Sequence, residues 1–364
     1  NSLTTTSLTH PLMEAAMNDL PSTMRGVWLT GHGDLDKLEI REDIPVPLPG
    51  PKDVLVRVAA AGVNNTDINT RIAWYSKNEG ASEDASWSGQ PLTFPRIQGI
   101  DVCGHIVAVG REVNANRIGE RILIEPCLRE ANGKRLDQPW FFGSECDGGF
   151  AEFTVVATRH AYKIDSDLSD VDLASFPCSY STAENMLTRS NVKAGERVLV
   201  TGASGGVGSA AVQLAKARGA RVWAVTTPAK SEALIQLGAD ETISRETDLS
   251  ATPGANSIDV VIDLVAGDKW PQYIDVLRPG GRYAVAGAIA GPIVELDVRT
   301  LYLKDLSLFG CTILDPGVFS NLIKRIEDGD IRPIVAHAFA LEEIREAQSL
   351  FLKKQHVGKI VLNV

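Results

Sequence analysis

The segment Val198-Leu199-Val200-Thr201-Gly202-Ala203-Ser204-Gly205-Gly206-Val207-Gly208 constrains this chain more than any other. Its apolar start predicts a buried strand and its glycines predict a tight turn. The stretch Ser204–Arg218 puts Val207, Ala210, Ala211, Leu214 and Ala215 on one face, which predicts an amphipathic helix. A strand, a glycine turn and a helix N-terminus in that order let backbone N–H groups meet a pyrophosphate. A turn that serves only tight packing is the alternative. The turn lies past the middle of 364 residues, so a separate body of chain precedes it, and the length suits two domains.

Strand and helix patterns alternate around the turn. Arg221–Thr226, Asp259–Asp263, Arg282–Ala286 and Leu306–Gly310 read as short apolar strands, and Ala229–Leu237 as a helix. Repeated units of this kind imply an α/β architecture with a doubly wound parallel sheet over 168–313. A helical stretch at Leu173–Arg189 precedes it. From Met24 to Asp167 the pattern is β-rich, with runs at Val27–Leu29, Val54–Val63, Ile100–Val109, Arg121–Ile124, Phe150–Val156 and Ala161–Ile164. Ala73–Pro95 interrupts it with a long polar loop, either a pocket lid or a surface excursion. Phe319–Asp328 and Glu342–Lys353 read as helices. Lys359–Leu362 reads as a strand that could return to the first domain, which gives a division of 24–167 with 314–364 against 168–313. Residues 1–23 read as a loose tail.

Composition narrows the class. A net charge of -10 disfavours nucleic acid and membrane surfaces, and no apolar run is long enough to span a bilayer. Cysteines at 103, 127, 146, 178 and 311 form no C-x-x-C pair, so no structural zinc lobe or redox dithiol is expected. The odd count argues against a fully paired secreted framework, and a cytoplasmic setting is the default.

The end of the second strand selects the dinucleotide. An acid there would bind the ribose 2′-OH and repel a 2′-phosphate. This chain has Thr226-Thr227-Pro228-Ala229-Lys230, with no acid. Hydroxyls and a cation suit a 2′-phosphate, so NADPH is expected ahead of NADH. Lys230 taken alone would read as a solvated helix residue. Ser204, Gly205, Gly206, Val207, Gly208, Thr227 and Lys230 are therefore the expected cofactor contacts. The turn also fits short-chain dehydrogenases, but no Tyr here is followed by Lys in their Tyr-x-x-x-Lys spacing.

A glycine-rich nucleotide turn after a β-rich body resembles the medium-chain dehydrogenase/reductase superfamily. The resemblance covers nearly all of Met24–Val364. It runs through Gly62-Val63-Asn64-Asn65-Thr66-Asp67, Gln98-Gly99-Ile100-Asp101, Gly148-Gly149-Phe150-Ala151-Glu152, Leu237-Gly238-Ala239-Asp240, Leu277-Arg278-Pro279-Gly280-Gly281 and Gly358-Lys359-Ile360-Val361-Leu362. It implies a Rossmann nucleotide-binding domain beside a β-rich GroES-like catalytic domain, with substrate between them, and a homodimer through an edge at Leu301–Thr312. It also implies that Thr182 faces the nicotinamide ring, that Gly287 and Ala288 meet the same ring through backbone, and that Ser244 and Arg245 stand where an aromatic usually packs near the 2′-phosphate.

Zinc alcohol dehydrogenases of this superfamily carry Cys in the first motif, His-Glu in the second, and a Cys before the nucleotide domain. Here those places hold Asn64, Ile100-Asp101 and Cys178. A catalytic zinc needs three protein ligands and an open position, so no zinc is expected, and Cys178 reads as a small buried residue. What remains is similar to the zinc-independent quinone oxidoreductases and enoyl reductases, whose Asn-x-x-Asp signature reaches a Tyr, here Tyr75. That resemblance implies Tyr75 as proton donor and Asn64 as a neighbouring amide, although a rim aromatic that only shapes the pocket is an equal reading of Tyr75. Without a metal, a conjugated acceptor (quinone, enone or 2-enoyl) is the easier hydride acceptor, because its charge delocalises and one donor covers much of it. The competing expectations are a zinc-type alcohol dehydrogenase with atypical ligands and a nucleotide-bound protein without catalysis.

Overall fold

The computed structural model describes residues 17–77 and 90–364. The expected tail up to residue 16, and Gly80, Ser82, Ser86, Trp87, Ser88 and Gly89 of the expected lid, lie outside the described residues. The chain forms two compact units. One runs to Cys178 and takes back His337–Lys353 and Ile360–Val364; the other comprises Ser179–Ala336 and Lys354–Lys359.

The first unit is β-rich. Strands β1 (Thr23–Leu29) and β2 (Leu38–Pro45) form an antiparallel pair. The larger sheet contains β3 (Asp53–Val63), β4 (Asp101–Val109), β5 (Arg121–Ile124), β8 (Phe153–Ala157) and β9 (Ala161–Lys163). A separate hairpin joins β6 (Cys127–Ala131) to β7 (Lys134–Phe141). Strand β3 is central: it pairs antiparallel with β4 on one edge and with β8 over Asp53–Arg57 on the other. Val54, Leu55 and Val56 are all fully buried, which is why this run reads as continuously apolar rather than alternating. Helix α1 (Asn65–Arg71) follows β3 directly. Its last residue, Arg71, is buried and donates to the Gly33 carbonyl at 2.7 Å and to Gln348 Oε1 at 3.2 Å.

The second unit is a doubly wound sheet of β10 (Arg197–Val200), β11 (Arg221–Thr226), β12 (Glu241–Ser244), β13 (Ile258–Asp263), β14 (Leu277–Val285) and β15 (Ser307–Gly310). Every neighbouring pair is parallel, in the order β12-β11-β10-β13-β14-β15. The order reverses between β10 and β13, and crevices at such reversals, beyond the C-terminal ends of the strands, bind ligands in open α/β sheets. The expected single helix at 173–189 is two: α2 (Asp170–Ala174) ends before Pro177, which starts α3 (Pro177–Arg189). Proline lacks the N–H an interior turn needs but fits a first helical position. The last strand, β17 (Lys359–Asn363), does return to the first sheet, pairing Ile360 with Val63 through Asn363 with Ala60. Its partner on the outer side is β16 (Val335–Ala340). The architecture is thus an α/β nucleotide-type sheet together with a β-rich domain.

Candidate functional site

In the second unit the glycine turn leaves β10 and enters helix α4 (Gly206–Ala217), with Gly205 as its extended N-cap residue. The first-turn N–H groups of a helix have no partner within it and carry its positive end. Gly202 sits at φ +56, in the left-handed region. A methyl at Gly208 would lie 2.1 Å from the Gly202 carbonyl oxygen, so the helix packs backbone to backbone on the turn. At Gly206 a methyl would meet Ser179 Oγ at 2.7 Å and Lys359 Cδ at 2.9 Å. A buried lysine stem therefore passes the first helical residue, and the Lys359 ammonium donates to Ser179 Oγ at 3.1 Å. The Gly358 N–H, which donates to the Ser204 carbonyl at 3.1 Å, holds that segment against the turn. Ser204, Gly205, Gly206, Val207 and Gly208 are thus gathered as one loop. Lys359 joins them by a return of the chain that local pattern does not announce.

A second cluster lies beyond the C-terminal ends of β11 and β12. Thr226 is in register with Ser244, and the Arg245 N–H donates to the Thr226 carbonyl at 3.1 Å. The Lys230 ammonium is 3.4 Å from Ser204 Oγ and donates to the Lys354 carbonyl at 2.8 Å. Burial, and then the charge of Arg245, lowers the Lys230 pKa. Burial and the charge of Lys230 push Lys354 down to about 8. Mutual repulsion among cations is the mark of a place suited to an anion. Half-buried Thr227 precedes the short turn Pro228–Lys230. Sequence reasoning found Lys230, Ser244 and Arg245 here but missed Lys354, which arrives from the far end of the chain.

Gly287 follows β14, where a methyl would lie 2.8 Å from the Leu264 carbonyl oxygen. The Ala290 N–H donates to the Val265 carbonyl at 2.9 Å, so the segment with Gly287 and Ala288 is laid against the turn after β13. Thr182 is half-buried on α3.

In the first unit a fully buried carboxylate organises the other candidates. Asp101 Oδ2 accepts from the Asn64 side-chain amide at 2.7 Å, and Asp101 Oδ1 accepts from the Cys178 N–H at 2.6 Å. The Asn64 N–H in turn donates to Asp67 Oδ2 at 2.8 Å. Gly62 pairs with Asp101 across β3 and β4, and a methyl there would be 2.4 Å from Asp101 Oδ2. Only glycine leaves room for that carboxylate. Ile100 is buried among core side chains. This donor set does not fit a catalytic zinc: Asn64 has committed its amide to Asp101, Ile100 has no donor atom, and one thiol is not three ligands. Among the described residues no group of three His, Cys, Asp or Glu is placed to hold a metal ion.

Tyr75 lies past the end of α1. Burial pushes its hydroxyl up to about 12; a hydrogen bond with the Asn69 side chain pulls the other way, and Cys178 and Asp67 add to the rise. Its ring meets Trp74 edge to face at 5.4 Å. Tyr75, Asn69, Asp67 and Cys178 are therefore close neighbours, and Asn64 is tied to the same group through Asp67 and Asp101.

Comparison with known proteins finds two families along the chain. Residues 50–166 match the family described as the alcohol dehydrogenase GroES-like domain, and 206–328 the zinc-binding dehydrogenase family. The chain is 30% identical over 353 residues to a quinone oxidoreductase of Homo sapiens, covering 93% of this chain and 97% of that protein. It is 30% identical over 349 residues to an acryloyl-coenzyme A reductase of Metallosphaera sedula, covering 93% and 99%. A crystal structure of a candidate alcohol dehydrogenase from Sinorhizobium meliloti superposes with a TM-score of 0.89 at 44% identity, covering 96% and 99%.

The cation cluster has a measurable signature. Lys354 is charged below about pH 8, against 10.5 in an unperturbed lysine. Between those values the unfolded chain binds more protons, so this group makes stability rise with pH. An anion among Lys230, Arg245 and Lys354 favours the charged form. Sulfate, whose own charge is constant there, should raise the melting temperature more at about pH 7 than at about pH 9.5, and Lys354→Gln should remove most of that difference. Equal sulfate stabilisation at both pH values in the unmodified protein would contradict the cluster.

Proposed function

This chain belongs to the medium-chain dehydrogenase/reductase superfamily and is an oxidoreductase, and on that footing we propose that it transfers hydride from NADPH to a quinone or other conjugated carbonyl without a catalytic zinc. The observation that carries the reading is the Asn64–Asp101–Cys178 N–H linkage. At the places where zinc relatives hold their metal, these groups bond one another. Two of the similar proteins, the quinone oxidoreductase and the acryloyl-coenzyme A reductase, support the same reading, whereas the alcohol dehydrogenase structure bears on the superfamily alone. A quinone and an acryloyl thioester both present a carbon–carbon double bond conjugated to a carbonyl.

NADPH, when bound, supplies the hydride. The chain's own residues bind and orient it. The α4 N-terminus and the Gly202–Gly208 turn suit the pyrophosphate, and Lys359 adds a cation beside the turn. Lys230, Arg245 and Lys354, with Ser204, Thr227 and Ser244, suit a 2′-phosphate, which supports NADPH ahead of NADH. Thr182, Gly287 and Ala288 are proposed to face the nicotinamide.

A conjugated acceptor that takes up hydride would carry the resulting charge on its carbonyl oxygen. A neutral donor suits that oxygen: Tyr75 stays protonated because its pKa is pushed up to about 12, and a proton it handed over would be replaced from solvent. Asn64, fixed by Asp101, presents the neighbouring amide. Tyr75 thus stays protonated through neutral and mildly alkaline solution, so it imposes no fall in rate there.

The exposed apolar residues Val298, Tyr302, Leu303 and Leu308 lie on and before the edge strand β15. Unpaired edge strands with apolar cover suit pairing between copies, and we propose a homodimer through this edge. Light scattering should give twice the chain mass, and Leu303→Asp should shift it toward the single-chain value; a single-chain mass for the unmodified protein would contradict this.

The test of function is NADPH oxidation followed across quinones, enones, enoyl thioesters and simple ketones. Turnover is expected on conjugated acceptors only, and Tyr75→Phe should lower kcat roughly a hundredfold with KM for NADPH little changed. An unchanged kcat would remove Tyr75 as the donor, and turnover confined to simple ketones would overturn the acceptor class.

A further inference from the structure

The group that ties both ends of the nucleotide site together is neither in the glycine turn nor at the nicotinamide end. Asp263, the last residue of β13, is fully buried at the reversal of strand order. Its Oδ1 accepts from Thr201 Oγ1 at 2.7 Å, from the Val265 N–H at 2.9 Å and from the Ala266 N–H at 3.0 Å. Its Oδ2 accepts from the Tyr283 hydroxyl. A buried carboxylate is tolerable when donors surround it, and here two side chains and two amides do so.

The donors come from three places: Thr201 at the glycine turn, Val265 and Ala266 in the turn after β13, and Tyr283 on β14. Thr201 opens the glycine turn, and its Oγ1 also accepts from the Leu264 N–H at 2.9 Å. Gly202, in its left-handed conformation, leaves space that a methyl would fill to within 3.2 Å of Val265 Cγ2. The turn after β13 is itself unusual: Ala266 sits at φ +51 and ψ -132, a backbone region that L residues rarely adopt. The Asp263 bond to its N–H helps hold it there. That turn then carries the nicotinamide segment. Gly287 packs on Leu264, Ala286 N–H donates to the Asp263 carbonyl at 3.1 Å, Ala290 N–H donates to Val265, and Gly267 N–H donates to the Gly291 carbonyl at 3.1 Å.

We infer that Asp263 is a positioning residue that sets the pyrophosphate turn and the nicotinamide-facing segment in fixed relation, so that one carboxylate governs both cofactor affinity and hydride geometry. It touches neither cofactor nor substrate. The inference rests on the dinucleotide reading above and assigns this chain's own residues within it. Two contacts are separable. The Thr201 bond reaches the pyrophosphate turn, and the turn amides at 265 and 266 reach the nicotinamide segment.

The experiment compares Asp263→Asn and Thr201→Val with the unmodified full chain. The asparagine removes the charge and turns one acceptor oxygen into a donor, so the bonds from Thr201 and the turn amides lose their charge assistance and the Tyr283 hydroxyl must turn to accept. Calorimetry would measure binding of NADPH and of 2′-phospho-ADP-ribose, which lacks the nicotinamide. Stopped-flow with 4-deuterated NADPH would measure hydride transfer.

Asp263→Asn should weaken the fragment about tenfold, slow hydride transfer by a further factor on the order of ten to a hundred, and raise the isotope effect on turnover as transfer becomes limiting. Thr201→Val should weaken the fragment with a smaller change in transfer. If Asp263→Asn does not fold, Thr201→Val carries the test: fragment affinity equal to the unmodified chain overturns the proposal. A folded Asp263→Asn with lowered melting temperature but unchanged affinity and transfer overturns it as well, because the residue would then be merely structural. Failure of the unmodified chain to bind NADPH, NADH or the fragment would instead overturn the dinucleotide reading itself.

Discussion

A carboxylate removed from water must be surrounded by donors or it destabilises the fold around it. Both units of this protein are organised by that requirement. In the β-rich unit Asp101 collects the Asn64 amide and the Cys178 N–H, and strand β3 gives up a side chain at Gly62 to admit it. In the nucleotide unit Asp263 collects two hydroxyls and two amides at the point where the strand order reverses. The candidate chemistry of each unit is built around its carboxylate: Asn64, Cys178 and Tyr75 about the first, the glycine turn and the Gly287 segment about the second.

The first of these carboxylates carries the proposed chemistry. A side-chain amide that donates to a buried carboxylate is oriented and desolvated, and it offers a metal little. Nearby, burial secures the Tyr75 proton, and Cys178 and Asp67 add to the rise in its pKa. A fixed amide and a firmly protonated phenol suit a delocalised anion, whereas a localised alkoxide calls for a Lewis acid, for which Asn64, Ile100 and Cys178 are a poor ligand set. The proposed preference for conjugated acceptors rests on that difference.

Much of the fold is legible in the sequence because its strands are short, apolar and bounded by glycine. The run 197–201 and its helix, the strands at 221–226 and 259–263, and the last strand itself are local patterns with strong periodicity. The hairpin of β6 and β7 escapes a reading by apolar pattern, although Asn132 and Gly133, both at positive φ, are a strong two-residue turn signal. Charged residues obscure it, as does Pro139 within the second strand. The helix at 173–189 reads as one because its apolar spacing continues through Pro177.

At the candidate site the glycines and Lys230 can be read from spacing, because the turn and the second strand are close in sequence. Lys354, Lys359, Asp101 and Asp263 act through partners far away in the chain: Lys359 reaches Ser179, and Lys230 reaches Lys354. Nothing local marks such pairs. Hydride transfer without a metal, as proposed, is tested most directly by metal content and NADPH-dependent quinone turnover on one sample, before and after chelation. Zinc well below one per chain with turnover unchanged by chelator is the predicted result. One zinc per chain, with turnover lost on chelation and restored by zinc, would contradict it.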